Sequence, residues 1–114
     1  MHPRPLIPSV DLYGQVAIVT GANTGVGYEI ARALAGRGAR VVIACRNAHK
    51  GKIARDNIAE DTGNNQVELE ILDYSSFASV KEFLGRWEKR ESKKVDILIN
   101  NAGNLNHFWS DNCN

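Results

Sequence analysis

The sequence predicts an α/β fold, a doubly wound parallel sheet truncated after about four strands in the spatial order 3-2-1-4, and three observations predict it. From Gln15 onward, short β-branched runs alternate with longer amphipathic stretches, the pattern of repeated βαβ units. Two of those runs are apolar throughout, as strands covered by helices on both faces must be. A third alternates apolar residues with glutamates, which places it at a sheet edge. With 114 residues there is room for one small domain, and 43% hydrophobic with 24% charged residues excludes a disordered, collagenous or coiled-coil chain.

The elements follow in order. Residues 1–11 contain all three prolines and lack the apolar core of a signal peptide, so they read as a flexible lead-in. No stretch is long and apolar enough to cross a bilayer. Val16-Ala17-Ile18-Val19 is the first strand and Val41-Val42-Ile43-Ala44 the second, both central. Between them Val26, Ile30 and Leu34 recur every fourth residue in a helix over 25–36, stopped by Gly36 and Gly38. A weaker stripe of Ile53, Ala54 and Ile58 predicts a helix over about 48–61, closed by Gly63. In Val67-Glu68-Leu69-Glu70-Ile71-Leu72 the apolar residues take one face and the glutamates the other, the edge pattern.

Val80, Phe83, Leu84 and Trp87 follow i, i+3, i+4, i+7 behind a serine cap at Ser75 or Ser76, the clearest helix of the chain. Val95-Asp96-Ile97-Leu98-Ile99 is the fourth strand. A nucleotide-binding half-domain of Rossmann type therefore spans 12–103, and right-handed crossovers with the third strand at the edge give the order 3-2-1-4. Residues 104–114, rich in asparagine and without period, read as an irregular tail.

A formal net charge of +1 gives no basic field for nucleic acid or anionic membrane. Two cysteines, Cys45 in an apolar run and Cys113 in the tail, make no disulfide framework and suit a reducing, cytoplasmic compartment. His107, Asp111 and Cys113 are scattered in the tail and define no metal site.

Chemistry concentrates at the strand ends. Between the first strand and the first helix stands Thr20-Gly21-Ala22-Asn23-Thr24-Gly25-Val26-Gly27, a G-x-x-x-G-x-G pattern where a phosphate-binding turn belongs. Gly21 turns the chain off the strand, Gly25 lets the backbone approach a pyrophosphate, and Gly27 lets the helix pack on the strand. The helix start offers free N–H groups and partial positive charge to the anion. The plainer alternative is a glycine-rich turn that only tightens packing, but its placement between strand and helix favours the phosphate.

The second strand ends in Cys45-Arg46-Asn47, with Arg46 nineteen residues after Gly27, where such folds meet the adenosine ribose. An acidic residue there would bind a free 2′-hydroxyl and repel a 2′-phosphate, whereas Arg46 presents a planar donor fork to that phosphate. NADP(H) is therefore preferred over NAD(H), with Lys50 a second cation; the alternative is a solvated loop arginine. Asp73 closes the third strand, placed to accept from an adenine amino group or to cap the following helix. Asn100-Asn101-Ala102-Gly103 closes the fourth, where Ala102 and Gly103 leave room for a ribose and the asparagines either face the ligand or hold adjacent loops together.

Taken with Leu12-x-Gly14-x-Val16-x-Ile18-Val19-Thr20-Gly21, these motifs resemble the N-terminal part of a short-chain dehydrogenase/reductase from about residue 12 to 103. Ala44-Cys45-Arg46-Asn47 with Lys50-Gly51 is similar to the branch that contains retinol dehydrogenases and the WW-domain oxidoreductase. The resemblance implies NADP(H)-dependent oxidoreduction of an alcohol or carbonyl substrate, with Gly21, Val26, Arg46, Lys50, Asp73 and Asn101 contacting the cofactor. It also implies a downstream serine and a Tyr-x-x-x-Lys pair. Four residues beyond Tyr13, Tyr28 and Tyr74 stand Ala17, Arg32 and Ala78, so the sequence names no catalytic residue. The chain by itself is expected to be inactive, with substrate only in a full-length relative. Its alternatives are a nucleotide-binding or interaction fragment that associates through the open sheet edge, or an unstable truncated product.

Overall fold

The computed structural model describes residues 11–22 and 25–101, and the readings made on 1–10, on Asn23 and Thr24, and on 102–114 lie outside them. The elements are β1 (Val16–Thr20), α1 (Gly25–Gly36), β2 (Arg40–Cys45), α2 (Ala48–Thr62), β3 (Val67–Ile71), α3 (Phe77–Glu88) and β4 (Ile97–Ile99). All strand pairs are parallel and the sheet runs β3-β2-β1-β4, the predicted order. Register sets Ala17 opposite Val41 and Ile97, and Val41 opposite Val67.

Two layers of helix cover the sheet. Val19, Val41, Ile43 and Val67 point to α1 and α2, where they pack with Ala31, Ala35, Ala54 and Ile58. On the opposite face Ala44 packs with Leu72 and Phe83, flanked by Val80 and Trp87 of α3. The β-branched side chains of β1 and β2 fill the centre, with Val19, Val41, Val42 and Ile43 fully buried.

The helices form where predicted, but not every predicted stripe faces inward. The buried side of α1 is Gly27, Ala31 and Ala35; Ile30 and Leu34 lie on its flank and Val26 is 67% exposed. A four-residue repeat drifts about 40° around the helix at each step, and small residues let the backbone sit close to the sheet, so the alanines take the seam. In α2 the same correction applies to Ile53, which is exposed, while Gly51, Ala54 and Ile58 face in. A Cβ on Gly51 would lie 2.6 Å from Cys45 Sγ and Leu69 Cδ1, so α2 sits against the sheet at this glycine with no room for a side chain. In α3 only Phe83 is buried, and Leu84 is 55% exposed.

Caps fix the helix ends. Asn47 Oδ1 accepts from the Lys50 N–H at 2.9 Å, and Ser76 Oγ, rather than that of Ser75, accepts from the Ser79 N–H at 3.1 Å. Gly63 closes α2 by donating its N–H to Ala59 O at 2.9 Å.

Both outer strands differ from a plain ladder. The glutamate face of β3 is an ion-pair platform: Glu68 meets Arg40 at 2.6 Å and Arg90 at 2.9 Å, and Glu70 meets Arg86 at 2.9 Å. Arg86 also donates to Ile71 O at 2.7 Å, and Arg90 stacks 4.5 Å from the Trp87 ring centre. These contacts hold α3 and the turn behind it against the edge strand. The fourth strand is shorter than the run that predicts it. Asp96 donates its N–H to Val16 O and accepts the Val16 N–H on Oδ2, both at 2.8 Å, so a side chain takes one rung of the ladder there. Beyond it β4 has β1 as its neighbour, and Leu98 is 63% exposed.

Candidate functional site

Parallel strands bring their carboxyl ends to one edge, and here the ends are bonded to one another. The Gly21 N–H donates to Ala44 O at 2.9 Å, joining β1 to β2, and the Leu72 N–H donates to Cys45 O at 2.9 Å, joining β2 to β3. Thr20 joins β1 to β4: its hydroxyl accepts the Asn101 N–H at 2.8 Å and lies 3.3 Å from both Ile99 O and Asn100 Oδ1 as donor. Thr20 is 2% exposed, a polar group buried with its partners supplied. The sequence reading used Thr20 only as part of the glycine motif, and the signal for its role is a hydroxyl residue closing an otherwise apolar strand.

Gly21 and Gly25 flank the turn from β1 into α1 with φ of 62° and 64°, the left-handed region that favours glycine. A Cβ on Gly25 would meet nothing within 4 Å among the described residues, so the backbone at the start of α1 is open. The first N–H groups of that helix have no carbonyl within the helix to bond. Gly27 is the reverse case: a Cβ there would strike Gly21 O and lie 2.5 Å from Asn101 Nδ2. Gly25, whose backbone is open, and Gly27, which packs the helix start against β4's end, thus take opposite parts in the motif. Val26, the residue between the last two, is exposed and lines a shallow hollow with Gly25, Tyr28, Glu29, Ile30 and Ala33.

Arg46 and Lys50 are exposed at the same carboxyl edge of the sheet, Arg46 directly after β2 and Lys50 in the first turn of α2. Among the described residues neither forms an ion pair. Asp73 lies two residues past β3, and its Oδ1 accepts from the Ser75 hydroxyl at 2.6 Å and the Ser75 N–H at 3.0 Å. Those bonds, together with the nearby Arg46 charge, hold its carboxyl below the usual aspartate range. So Asp73 builds the turn ahead of α3 while Ser76 caps the helix, and its second oxygen accepts no bond among the described residues. Asn101 stands at β4's end with its backbone on Thr20 and its amide against Gly27. The structure therefore brings Gly21, Gly25, Val26, Gly27, Arg46, Lys50, Asp73 and Asn101 to one edge, while Asn23, Thr24, Ala102 and Gly103 lie outside the described residues.

A parallel sheet in the order β3-β2-β1-β4, with a glycine turn leading into a helix at its carboxyl edge, defines a doubly wound α/β protein of Rossmann type. The family model of short chain dehydrogenases matches residues 15–112, and the chain belongs to that family, whose members are oxidoreductases that bind nicotinamide cofactors. It is similar to retinol dehydrogenase 12 of Mus musculus, 52% identical over 95 residues that cover 83% of this chain and 30% of that protein. Among solved structures it is similar to a Pseudomonas aeruginosa RhlG/NADP active-site complex, with TM-score 0.70 and 31% identity, covering 93% of this chain and 42% of that one. An actinorhodin polyketide ketoreductase with NADPH matches with TM-score 0.67 and 31% identity over 78% of this chain and 33% of that one. The chain spans about 30% of the length of the curated relatives it matches. Among the described residues no helix is long and apolar enough to cross a membrane.

Proposed function

We propose that this chain holds NADP(H), in preference to NAD(H), as the cofactor-binding part of an oxidoreductase that acts on an alcohol or carbonyl. The observation that carries this reading is the open glycine turn at the start of α1, set on one sheet edge with the exposed Arg46. In it, Gly21, Asn23, Thr24, Gly25, Val26 and Gly27 surround the diphosphate. Arg46 and Lys50 take the 2′-phosphate, Asp73 receives the adenine amino group, and Asn101, Ala102 and Gly103 bound the nicotinamide ribose. The chemistry of these groups fits the ligand: bare backbone and N–H donors for an anion, two cations for a second anion, and an acceptor for an amine. Bound nicotinamide would supply hydride exchange with the carbon of a carbonyl or alcohol. No tyrosine of this sequence has a lysine four residues on, so this stretch lacks the paired proton donor that the family resemblance implies, and alone it binds cofactor without turnover.

Titrating the purified chain with NADPH and NADH, followed by calorimetry and melting temperature, tests the proposal. NADPH is expected to bind at least tenfold more tightly and to raise the melting temperature. Arg46→Asp should reverse that preference. Equal affinity for both dinucleotides, or a preference untouched by Arg46→Asp, would count against it, and turnover of NADPH with an aldehyde panel would refute the claim of inactivity.

A second reading is favoured by β4, whose described neighbour is β1 and whose Leu98 is 63% exposed: a non-catalytic module that pairs with another polypeptide along this edge. Loss of a complex on Leu98→Asp, with NADPH binding retained, would separate it from the first.

A further inference from the structure

The ladder between β4 and β1 is short: it pairs Ala17 with Ile97, Ile18 with Leu98 and Val19 with Ile99. Side chains close it at both ends. At the carboxyl end the Thr20 hydroxyl accepts the Asn101 N–H at 2.8 Å. At the amino end Asp96 grips Val16 twice, donating its own N–H to Val16 O and accepting the Val16 N–H on Oδ2, both at 2.8 Å. In a continuing parallel ladder that second bond would go to a main-chain carbonyl. Lys94 holds the carboxylate in place. Its Nζ lies 3.3 Å from the same Oδ2 and donates to Gly14 O at 2.7 Å, which also ties the lead-in of β4 to the turn before β1. The bond from Val16, together with Lys94, keeps the Asp96 carboxyl below the usual aspartate range and so ionised at neutral pH.

We propose that Asp96, aimed by Lys94, is a positioning residue for the nicotinamide half of the cofactor site, which it serves by fixing the register of β4 on β1. This inference rests on the cofactor reading above. Ile97-Leu98-Ile99 is apolar on both faces, so its pattern does not choose a register, and a slip of one residue turns every side chain to the other side. Asn100 would then stand where Asn101 stands, and the amide that fits against Gly27 would be lost. Asp96 selects between these registers because its N–H and its carboxylate must both meet the same residue of β1. It does so from about 16 Å away, five residues of extended chain before Asn101, and acts through that residue rather than by touching ligand. The groups assigned to the adenosine half stand elsewhere: Arg46 after β2, Lys50 in α2 and Asp73 after β3. Their strand ends are joined by bonds from Gly21 to Ala44 and from Leu72 to Cys45, in which Asp96 has no part. Loss of Asp96 therefore strikes one half of the site.

Two ligands read the halves apart: NADPH, which spans both, and adenosine 2′,5′-bisphosphate, which ends before the nicotinamide ribose. Calorimetry on the full chain gives the affinity for each. Asp96→Ala should weaken NADPH binding by about fivefold or more and leave the bisphosphate within about twofold of wild type. Asp96→Asn keeps an acceptor for the Val16 N–H and should recover most of the NADPH affinity. Lys94→Met leaves the rung in place and frees the carboxylate, and it should move the ratio of the two affinities in the same direction by about twofold. It is the milder change, and it carries the test if Asp96→Ala does not fold. Equal losses of both ligands mark a general loosening of the fold and overturn the inference, as does a ratio unchanged in the variants, provided that wild type binds both compounds; the cofactor reading then stands. A wild-type chain that binds neither compound overturns that reading and this inference with it.

Discussion

Thr20 and Gly27 meet the same neighbour from opposite sides. The Thr20 hydroxyl holds the Asn101 backbone, and Gly27 leaves the space in which the Asn101 amide sits. A methyl group at residue 27 would collide with a carbonyl oxygen and an amide nitrogen at once, and the carbonyl is backbone that cannot swing away. Gly27→Ala is therefore expected to cost about 1–3 kcal/mol of folding stability, read from the urea midpoint, and to weaken NADPH binding as the turn shifts. Gly25→Ala meets no such wall, and its penalty is confined to the positive φ it must adopt. Equal losses at the two positions would contradict the division between an open and a packed glycine.

At the scale of elements, α3 is held on by ion pairs as well as by apolar burial, since Phe83 is its buried residue while Arg86, and Arg90 in the turn behind it, bind Glu68, Glu70 and Ile71 O. Burial alone would raise the Glu68 carboxyl, yet the bonds from Arg40 and Arg90 outweigh it and hold the group below its usual range. A carboxyl so depressed contributes stability that is complete above the unfolded pKa of about 4.3 and is lost as pH falls through the folded value. Wild type should thus lose melting temperature between about pH 5 and pH 3 more steeply than Glu68→Gln, which gives up on the order of 1 kcal/mol at neutral pH. Parallel pH profiles for the two proteins would rule this contribution out. The elements themselves were legible in the sequence because period, caps and β-branching all agree, as at Ser76 to Trp87. What sequence could not assign was which flank faces in. Val26, Ile53 and Leu84 read as core and are exposed: in α1 and α2 the small residues Ala31, Ala54 and Gly51 allow the close approach that larger ones would block, and in α3 Phe83 takes the inner face. Of the site, the glycine turn and Arg46 were legible as a motif at a fixed distance. The bonds that stitch the edge together depend on which strands are neighbours, information that no local window holds.

For the whole molecule, one sheet serves two cores, and β2 lies at the centre of both. Val41 and Ile43 fill the α1–α2 side while Ala44 fills the α3 side. Ile43 is fully buried between the two helices of its layer, so Ile43→Ala should cost about 2–5 kcal/mol by chemical denaturation. In a domain holding about 5–15 kcal/mol that is a large share, and a loss under 1 kcal/mol would mean the layer can close over the gap. The thiol at the end of that strand is a consequence of the same geometry. Cys45 is buried and burial pushes its thiol pKa up, with Gly51 pressed over it by the inner side of α2. An alkylating reagent can reach it only when α2 lifts, so its labelling rate is a clock for the breathing of the very edge on which Arg46 stands, and whatever steadies that edge slows the clock.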